Sequence, residues 1–106
     1  MTAYLGEFEQ LVLLALIRLG PGAGTPAVRD AVAAGSQRKV WLGAVFTTLE
    51  RLEEKGLVRS SHVEAGPGGK RRKIYAIEPA GDAAIARAYN TWARMTRGLK
   101  PKLEAR

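Results

Sequence analysis

Apolar residues recur at helical spacing near the middle of the chain. They stand at i, i+3, i+4, i+7 and i+10, at Leu42, Val45, Phe46, Leu49 and Leu52. This spacing predicts an amphipathic helix of about 13 residues. Its other face is polar, and small near the N-terminal end, with Gly43, Thr47, Thr48, Glu50 and Arg51. Such a face is either the base-reading surface of a DNA-binding helix or the solvated side of an ordinary helix.

A strand, a glycine-rich turn and a second strand are predicted to follow that helix. Gly56 suits the left-handed conformation that ends a helix. Residues 57–64 predict a strand, residues 65–69 a hairpin tip, and residues 74–77 the returning strand. Four cations lie at the hairpin edge: Lys70, Arg71, Arg72 and Lys73. They mark either an edge strand protected from aggregation or a phosphate-binding wing, and four in a row favour the wing.

Two helices are predicted before this unit. Residues 5–19 are apolar nearly all round, which indicates that more than one face is covered. We therefore expect Leu5 and Phe8 to lie near a subunit interface as well as a core. The second helix is predicted to start with Thr25 as N-cap and Pro26 as first residue, and to end at about residue 34 before Gly35.

The C-terminal third predicts one long helix with a narrow apolar seam. The helix begins at Pro79, and the seam comprises Ile85, Tyr89, Trp92, Thr96 and Leu99. These spacings of three and four are typical of a dimerisation helix, and the alternative is a helix that folds back on its own core. The expected organisation is a winged helix-turn-helix over residues 1–78, a dimerisation helix over residues 79–99 and a disordered basic tail over residues 100–106. The fold class is mainly α (α+β), with a two-stranded wing.

Charge and composition restrict the classes of function that fit the sequence. The net charge is +7 and the pI about 10.3, typical of a nucleic-acid-binding domain. Residues 36–73 hold nine basic and four acidic residues, whereas residues 1–35 have a net charge of −1. The chain contains no cysteine, which fits a reducing cytoplasm, and we expect no signal peptide, membrane segment or cofactor. His62 has no second histidine or cysteine beside it, so no metal site is expected and a surface strand position is the simpler interpretation.

The sequence resembles the PadR family of transcriptional regulators over about residues 5–95. The resemblance is carried by residues 5–16, by the central segment 42–58, by the basic glycine-rich wing leading into Tyr75, and by Pro79-Ala80-Gly81. It implies a dimeric winged-helix repressor that binds palindromic operators in double-stranded DNA and responds to a small apolar or aromatic effector near the dimer interface. The family often has Tyr where this chain has Phe46, which we therefore expect in the core.

The candidate DNA contacts follow from the pattern and the resemblance together. They are Arg38, Lys39, Gly43, Thr47, Thr48, Arg51, Lys70, Arg71, Arg72 and Lys73. The candidate dimer contacts are Leu5, Phe8, Ile85, Tyr89, Trp92 and Leu99. Trp92 is either a buried interface residue or a stacking platform for an effector. Trp41 either packs beneath the central helix, which we favour, or lies against a DNA sugar.

Three other classes of function fit the sequence less well. Catalysis is not expected, because a nucleophile–base pair would have to use His62 without an orienting partner nearby. RNA binding lacks the aromatic stacking platform of single-strand readers. A winged-helix module that binds only proteins is the closest alternative, and the basic wing argues against it.

Overall fold

The computed structural model describes residues 4–64 and 67–106. The chain forms α1 (Glu7–Leu19), β1 (Ala23–Gly24), α2 (Thr25–Ser36), α3 (Leu42–Glu54), β2 (Val58–Glu64), β3 (Arg71–Ile77), α4 (Pro79–Thr96) and α5 (Lys100–Glu104). This order, three helices followed by a hairpin and a long helix, is a winged helix-turn-helix and confirms the expected fold class. Two residues of the predicted hairpin tip, 65 and 66, lie outside the described residues.

The sheet has three strands rather than the expected two. Its order is β1-β3-β2, and both pairs are antiparallel. The short β1 belongs to the sheet because Ala23 pairs with Tyr75 of β3 and Gly24 with Ile74. In addition, the Gly22 N–H donates to the Tyr75 carbonyl at 3.1 Å. A strand of two residues carries too little periodicity to be recognised in sequence.

One apolar core lies between the helices and the sheet. Val12 and Leu16 of α1, Val45 and Leu49 of α3, and Tyr75 of β3 are among its buried members. Burial raises the pKa of Tyr75, an effect that the charge of nearby Lys73 only partly offsets. Among the described residues, no group hydrogen-bonds the Tyr75 hydroxyl.

Several helix ends differ from the sequence-based expectation. Helix α1 begins at Glu7, two residues later than expected, and the Gly6 N–H is capped by the Glu9 carboxylate at 2.9 Å. Helix α2 has Gly24 at its N-cap, one residue before Thr25. It continues through Gly35 and ends where Gln37 takes a left-handed conformation with φ of 57°.

Gly56 ends α3 in the predicted left-handed conformation, with φ of 76°. Its N–H donates to the Glu53 carbonyl and the Leu57 N–H to the Leu52 carbonyl, both at 2.9 Å. These two bonds form a Schellman motif, which satisfies carbonyls left open at the helix end. The C-terminal tail also differs from expectation, because residues 100–104 form the short exposed helix α5 instead of disordered chain.

Candidate nucleic-acid interface

Helix α3 is anchored to α1 by a mostly buried ion pair. The Lys55 ammonium, just past the end of α3, lies 2.7 Å from Glu9 Oε2. Burial alone would raise the pKa of Glu9, but the hydrogen bonds from Lys55 and the Gly6 N–H outweigh it and leave that pKa below its ordinary value. The two residues are 46 positions apart, so no local pattern in the sequence indicates this contact.

A second carboxylate anchors α3 to the sheet. Glu53 Oε2 accepts hydrogen bonds from the Ser60 hydroxyl at 2.6 Å and the Ser60 N–H at 3.0 Å. The hydroxyl contact is the main reason that the pKa of Glu53 is lowered, with the Lys73 charge contributing further. Glu9 and Glu53 thus fix α3 relative to both α1 and the wing, which defines the orientation of its outward face.

The exposed face of α3 contains most, but not all, of the predicted contact residues. Gly43, Thr47 and Arg51 are exposed, together with the acidic Glu50. Thr48 is only 6% exposed, so its prediction as a DNA contact is wrong. It lies on the same side of the helix as Val45, Leu49 and Leu52, a spacing of three, one and three that already fits a buried helix face.

Phe46 and Leu42, unlike Thr48, lie on the accessible side of α3. Phe46 is 43% exposed, so the prediction that it lies in the core is wrong. Leu42, another member of the predicted apolar stripe, is 42% exposed. The Lys73 ammonium lies 6.0 Å from the centre of the Phe46 ring, which places Phe46 on the side of α3 that faces the wing. The accessible surface of α3 is therefore partly apolar.

The turn before α3 brings two predicted cations to the surface. Arg38 is exposed and pairs with Glu7 at 3.1 Å. The Lys39 ammonium lies 4.6 Å from the centre of the Trp41 ring, within range of a cation–π contact. Trp41 itself is 67% exposed, so the favoured interpretation that it packs beneath α3 is wrong.

The four wing cations are not equivalent. Lys70, Arg71 and Arg72 are exposed, whereas Lys73 is half-buried and lies 3.9 Å from Glu53. Neighbouring side chains of β3 point to opposite faces, so Arg72 lies on the face opposite Arg71 and Lys73. Lys73 is thus held partly inside the domain, and the exposed cations of the wing are the three that precede it. His62 of β2 pairs with Lys73 of β3 and is exposed, as expected.

A second, apolar surface lies along α4. Tyr89 and Trp92 are mostly exposed, as an unpaired dimer seam requires. Leu5 and Ile85 belong instead to the core of the same chain, so they are unavailable as the expected intersubunit contacts. Phe8 is half-buried against the core, and Leu99 lies just beyond the end of α4.

A groove of about 370 Å³ runs between the N-terminal segment and α4. Trp92 and Ala88 line it from α4, and Tyr4, Leu5 and Gln10 from the N-terminal side. The groove adjoins the exposed seam, so any molecule bound there would touch both. Among the described residues, no three histidine, aspartate or glutamate side chains are grouped so as to hold a metal ion.

The model of the transcriptional regulator PadR-like family matches residues 13–87. The chain belongs to this family. Members of the family are transcriptional regulators rather than enzymes, and the winged helix described above is their DNA-binding fold. No curated protein matches the sequence.

Solved structures of two PadR regulators and of one further DNA-binding protein share this fold. A PadR regulator of Clostridium difficile R20291 is 21% identical, covers 92% of this chain and 99% of its own, and superposes with a TM-score of 0.73. One from Eggerthella lenta is 24% identical over 94% and 88%, with a TM-score of 0.69. BpsR of Bordetella bronchiseptica, whose DNA binding is regulated by 6-hydroxynicotinic acid, is 23% identical over 91% and 67%, with a TM-score of 0.69. In the described part of this chain, no helix is long and apolar enough to cross a membrane.

Proposed function

We propose that this PadR-like protein is a dimeric, sequence-specific repressor that binds a palindromic operator in double-stranded DNA in the cytoplasm. The observation that carries the proposal is the joint exposure of the α3 face and of the wing cations. Gly43, Thr47 and Arg51 meet base edges or nearby phosphates in the major groove, and Arg38 and Lys39 meet phosphate at the start of α3. Arg71 and Arg72, with Lys70, meet the neighbouring backbone.

Dimerisation is supported by the unpaired seam of α4. Tyr89 and Trp92, with Met95 beyond them, form an apolar strip that stays exposed in the single chain. A second copy would cover this strip, and its two-fold axis would place the two α3 helices about 34 Å apart, one turn of DNA. The two-fold symmetry is the physical basis for expecting a palindromic operator, and the spacing sets the separation of its half-sites.

The groove beside Trp92 supports a small apolar or aromatic effector. It combines the Trp92 indole and small aliphatic side chains with a few polar groups, Gln10, Arg87 and Thr91, as ligand sites for planar molecules do. The regulation of BpsR by a planar aromatic acid is consistent with such a molecule acting in this chain. Because the groove adjoins the seam, a bound effector would change the geometry of the dimer and hence the spacing of its α3 helices.

Fluorescence anisotropy on duplex DNA tests the proposal. The protein is used to select duplexes from a random library, and binding to the best duplex is compared with a scrambled duplex of equal length at two salt concentrations. We expect a preference for the selected duplex that persists at higher salt, because base contacts depend less on counterion release than phosphate contacts do. Equal, salt-labile binding to both duplexes would contradict sequence-specific recognition.

A further inference from the structure

Leu42 and Phe46 form a small apolar strip on the accessible side of α3. They lie one helical turn apart, which places them side by side on the helix surface. Each retains more than two-fifths of its accessible surface. Beside them, Gly43 leaves the helix surface open, since a Cβ added there would meet no described atom within 4 Å apart from its chain neighbours and the backbone of α3 itself. The strip therefore borders the part of α3 that can approach another molecule most closely.

The charges around this strip favour DNA as its occupant. The Lys73 ammonium lies beside the Phe46 ring, the exposed Arg71 lies on the same face of β3 as Lys73, and Lys39 precedes α3. Residues 36–73 carry a net charge of +5. A second copy of this cationic surface would be repelled from it, whereas the phosphates that border the major groove complement it.

We propose that Leu42 and Phe46 recognise the 5-methyl groups of thymines in the operator. Thymine is the only one of the four DNA bases that presents a methyl group in the major groove, and apolar side chains such as Phe are suited to contact it. The Phe46 ring has no hydroxyl with which to bond a phosphate or a base, so its available contact is apolar. This inference rests on the proposed function. It assigns part of the protein's preference for particular DNA sequences to Leu42 and Phe46.

Replacing thymine by deoxyuridine tests the contact directly. Deoxyuridine keeps the hydrogen-bonding edge of thymine and removes only the methyl group. On a duplex selected by the wild-type protein, we expect its substitution at the critical thymines to weaken wild-type binding about fourfold for each methyl lost from an apolar contact. Phe46→Ala should bind the thymine duplex more weakly and discriminate less between thymine and deoxyuridine, and Leu42→Ala should show the same change at its own thymine.

A matched variant separates this contact from general effects. Val63 on β2 is also exposed and apolar, at 39%, but lies on the wing, so Val63→Ala should keep the full sensitivity to deoxyuridine. Because Phe46 is exposed, Phe46→Ala should keep the unfolding midpoint near that of the wild type, and Phe46→Leu should restore part of the discrimination.

Two outcomes would overturn the inference while leaving the proposed function intact. One is equal wild-type affinity for thymine and deoxyuridine versions of a duplex that the protein nevertheless selects. The other is a change in sedimentation of Phe46→Ala with unchanged methyl sensitivity, which would make the strip a protein contact. If no duplex is enriched at all, the proposed function fails, and this inference fails with it.

Discussion

At the scale of single residues, charged groups at the ends of helices determine how α3 is held. Glu9 caps the first turn of α1 and pairs with Lys55 beyond the last turn of α3. Glu53 holds α3 to β2 in the same way, by accepting two hydrogen bonds from Ser60. Both carboxylates have a lowered pKa, so the folded protein favours their charged forms. The stability of the folded protein should therefore fall as these two carboxylates are protonated in the acidic range.

Glu9→Gln should destabilise the protein at neutral pH and have little effect in acid. The folded-state pKa of Glu9 lies below its ordinary value of 4.5, so its ionised form adds stability above that pH. The contribution is lost as the pH falls through the folded-state pKa. We expect a loss of about 2 kcal/mol in the free energy of unfolding near neutral pH, because charge-assisted hydrogen bonds are removed. Urea denaturation across this pH range measures the difference.

Glu7→Gln is the matched control for that experiment. Glu7 stands in the same turn and pairs with Arg38, but both side chains are exposed. Exposed ion pairs contribute about 1 kcal/mol or less, so this variant should stay close to the wild type at every pH. An equal loss for the two variants would show that burial of the Glu9 carboxylate is not the cause.

Gly81 shows how one position can require the absence of a side chain. A Cβ at Gly81 would collide with the Leu57 carbonyl oxygen and contact the Ile77 side chain, because α4 starts directly over the end of the sheet. The same carbonyl accepts the Glu78 N–H at 2.9 Å, so it cannot move away without loss. We expect Gly81→Ala to reduce the free energy of unfolding by about 1–3 kcal/mol through overpacking.

Gly35→Ala should change the free energy of unfolding in the opposite direction to Gly81→Ala. Gly35 lies within α2, and a Cβ added there would meet no described atom within 4 Å apart from its chain neighbours and the backbone of α2 itself. An alanine there should add about 0.5–1 kcal/mol, because it restricts the unfolded chain and favours the helix. Stabilisation by both substitutions would contradict the close approach of α4 to the sheet.

At the scale of elements, the alternation along β3 divides the wing cations by accessibility. Arg71 and Arg72 are exposed on opposite faces, and Lys73 is turned toward Glu53 and Phe46. The wing should therefore contribute fewer phosphate contacts than its four consecutive cations suggest. Its contribution should appear in the salt dependence of binding more than in base preference.

Replacing Arg71 and Arg72 together by Gln should reduce the salt dependence of DNA binding. Each lost phosphate contact should lower the slope of log affinity against log salt by about 0.9. The ratio of affinities for selected and scrambled duplexes should change little. Lys102→Gln, which removes a cation from α5, provides the control and should leave the slope unchanged. An altered base preference in the wing variant would contradict a role limited to phosphate.

At the scale of the whole molecule, the chain is elongated, with principal extents of 55, 32 and 20 Å. The first part of α4 is buried at Gly81, Ala84 and Ile85, whereas all its residues from 89 to 96 are exposed. An exposed apolar strip on a projecting helix is an unfavourable arrangement for a single chain. Pairing of two copies through α4 would remove that strip from water and set the separation of the two α3 helices.

Trp92→Glu should convert the proposed dimer into monomers with little loss of monomer stability. The introduced charges would face each other across an apolar interface, which carries a large desolvation cost. Analytical ultracentrifugation should show the monomer mass, and affinity for a palindromic duplex should fall accordingly. Asn90→Glu introduces the same charge on the other side of α4 and should remain dimeric. Unchanged sedimentation of Trp92→Glu would contradict the proposed interface.

The sequence by itself predicted the order of the main elements, the length of α3 and the left-handed Gly56. These features depend on local periodicity and on backbone conformations that few residues adopt, so neighbouring residues are sufficient to specify them. The basic character of the wing and the family resemblance were also evident in the chain alone, and the family was confirmed by the match over residues 13–87.

The tertiary structure decided which side chains of those elements are available. It buried Thr48 and exposed Phe46, because α3 turns the face containing Val45 and Leu49 toward the core. It also added β1 to the sheet, drew Leu5 and Ile85 into the core, and joined Glu9 to Lys55 across 46 positions. All of these depend on contacts between residues far apart in the chain, which hydrophobic periodicity within one segment does not encode.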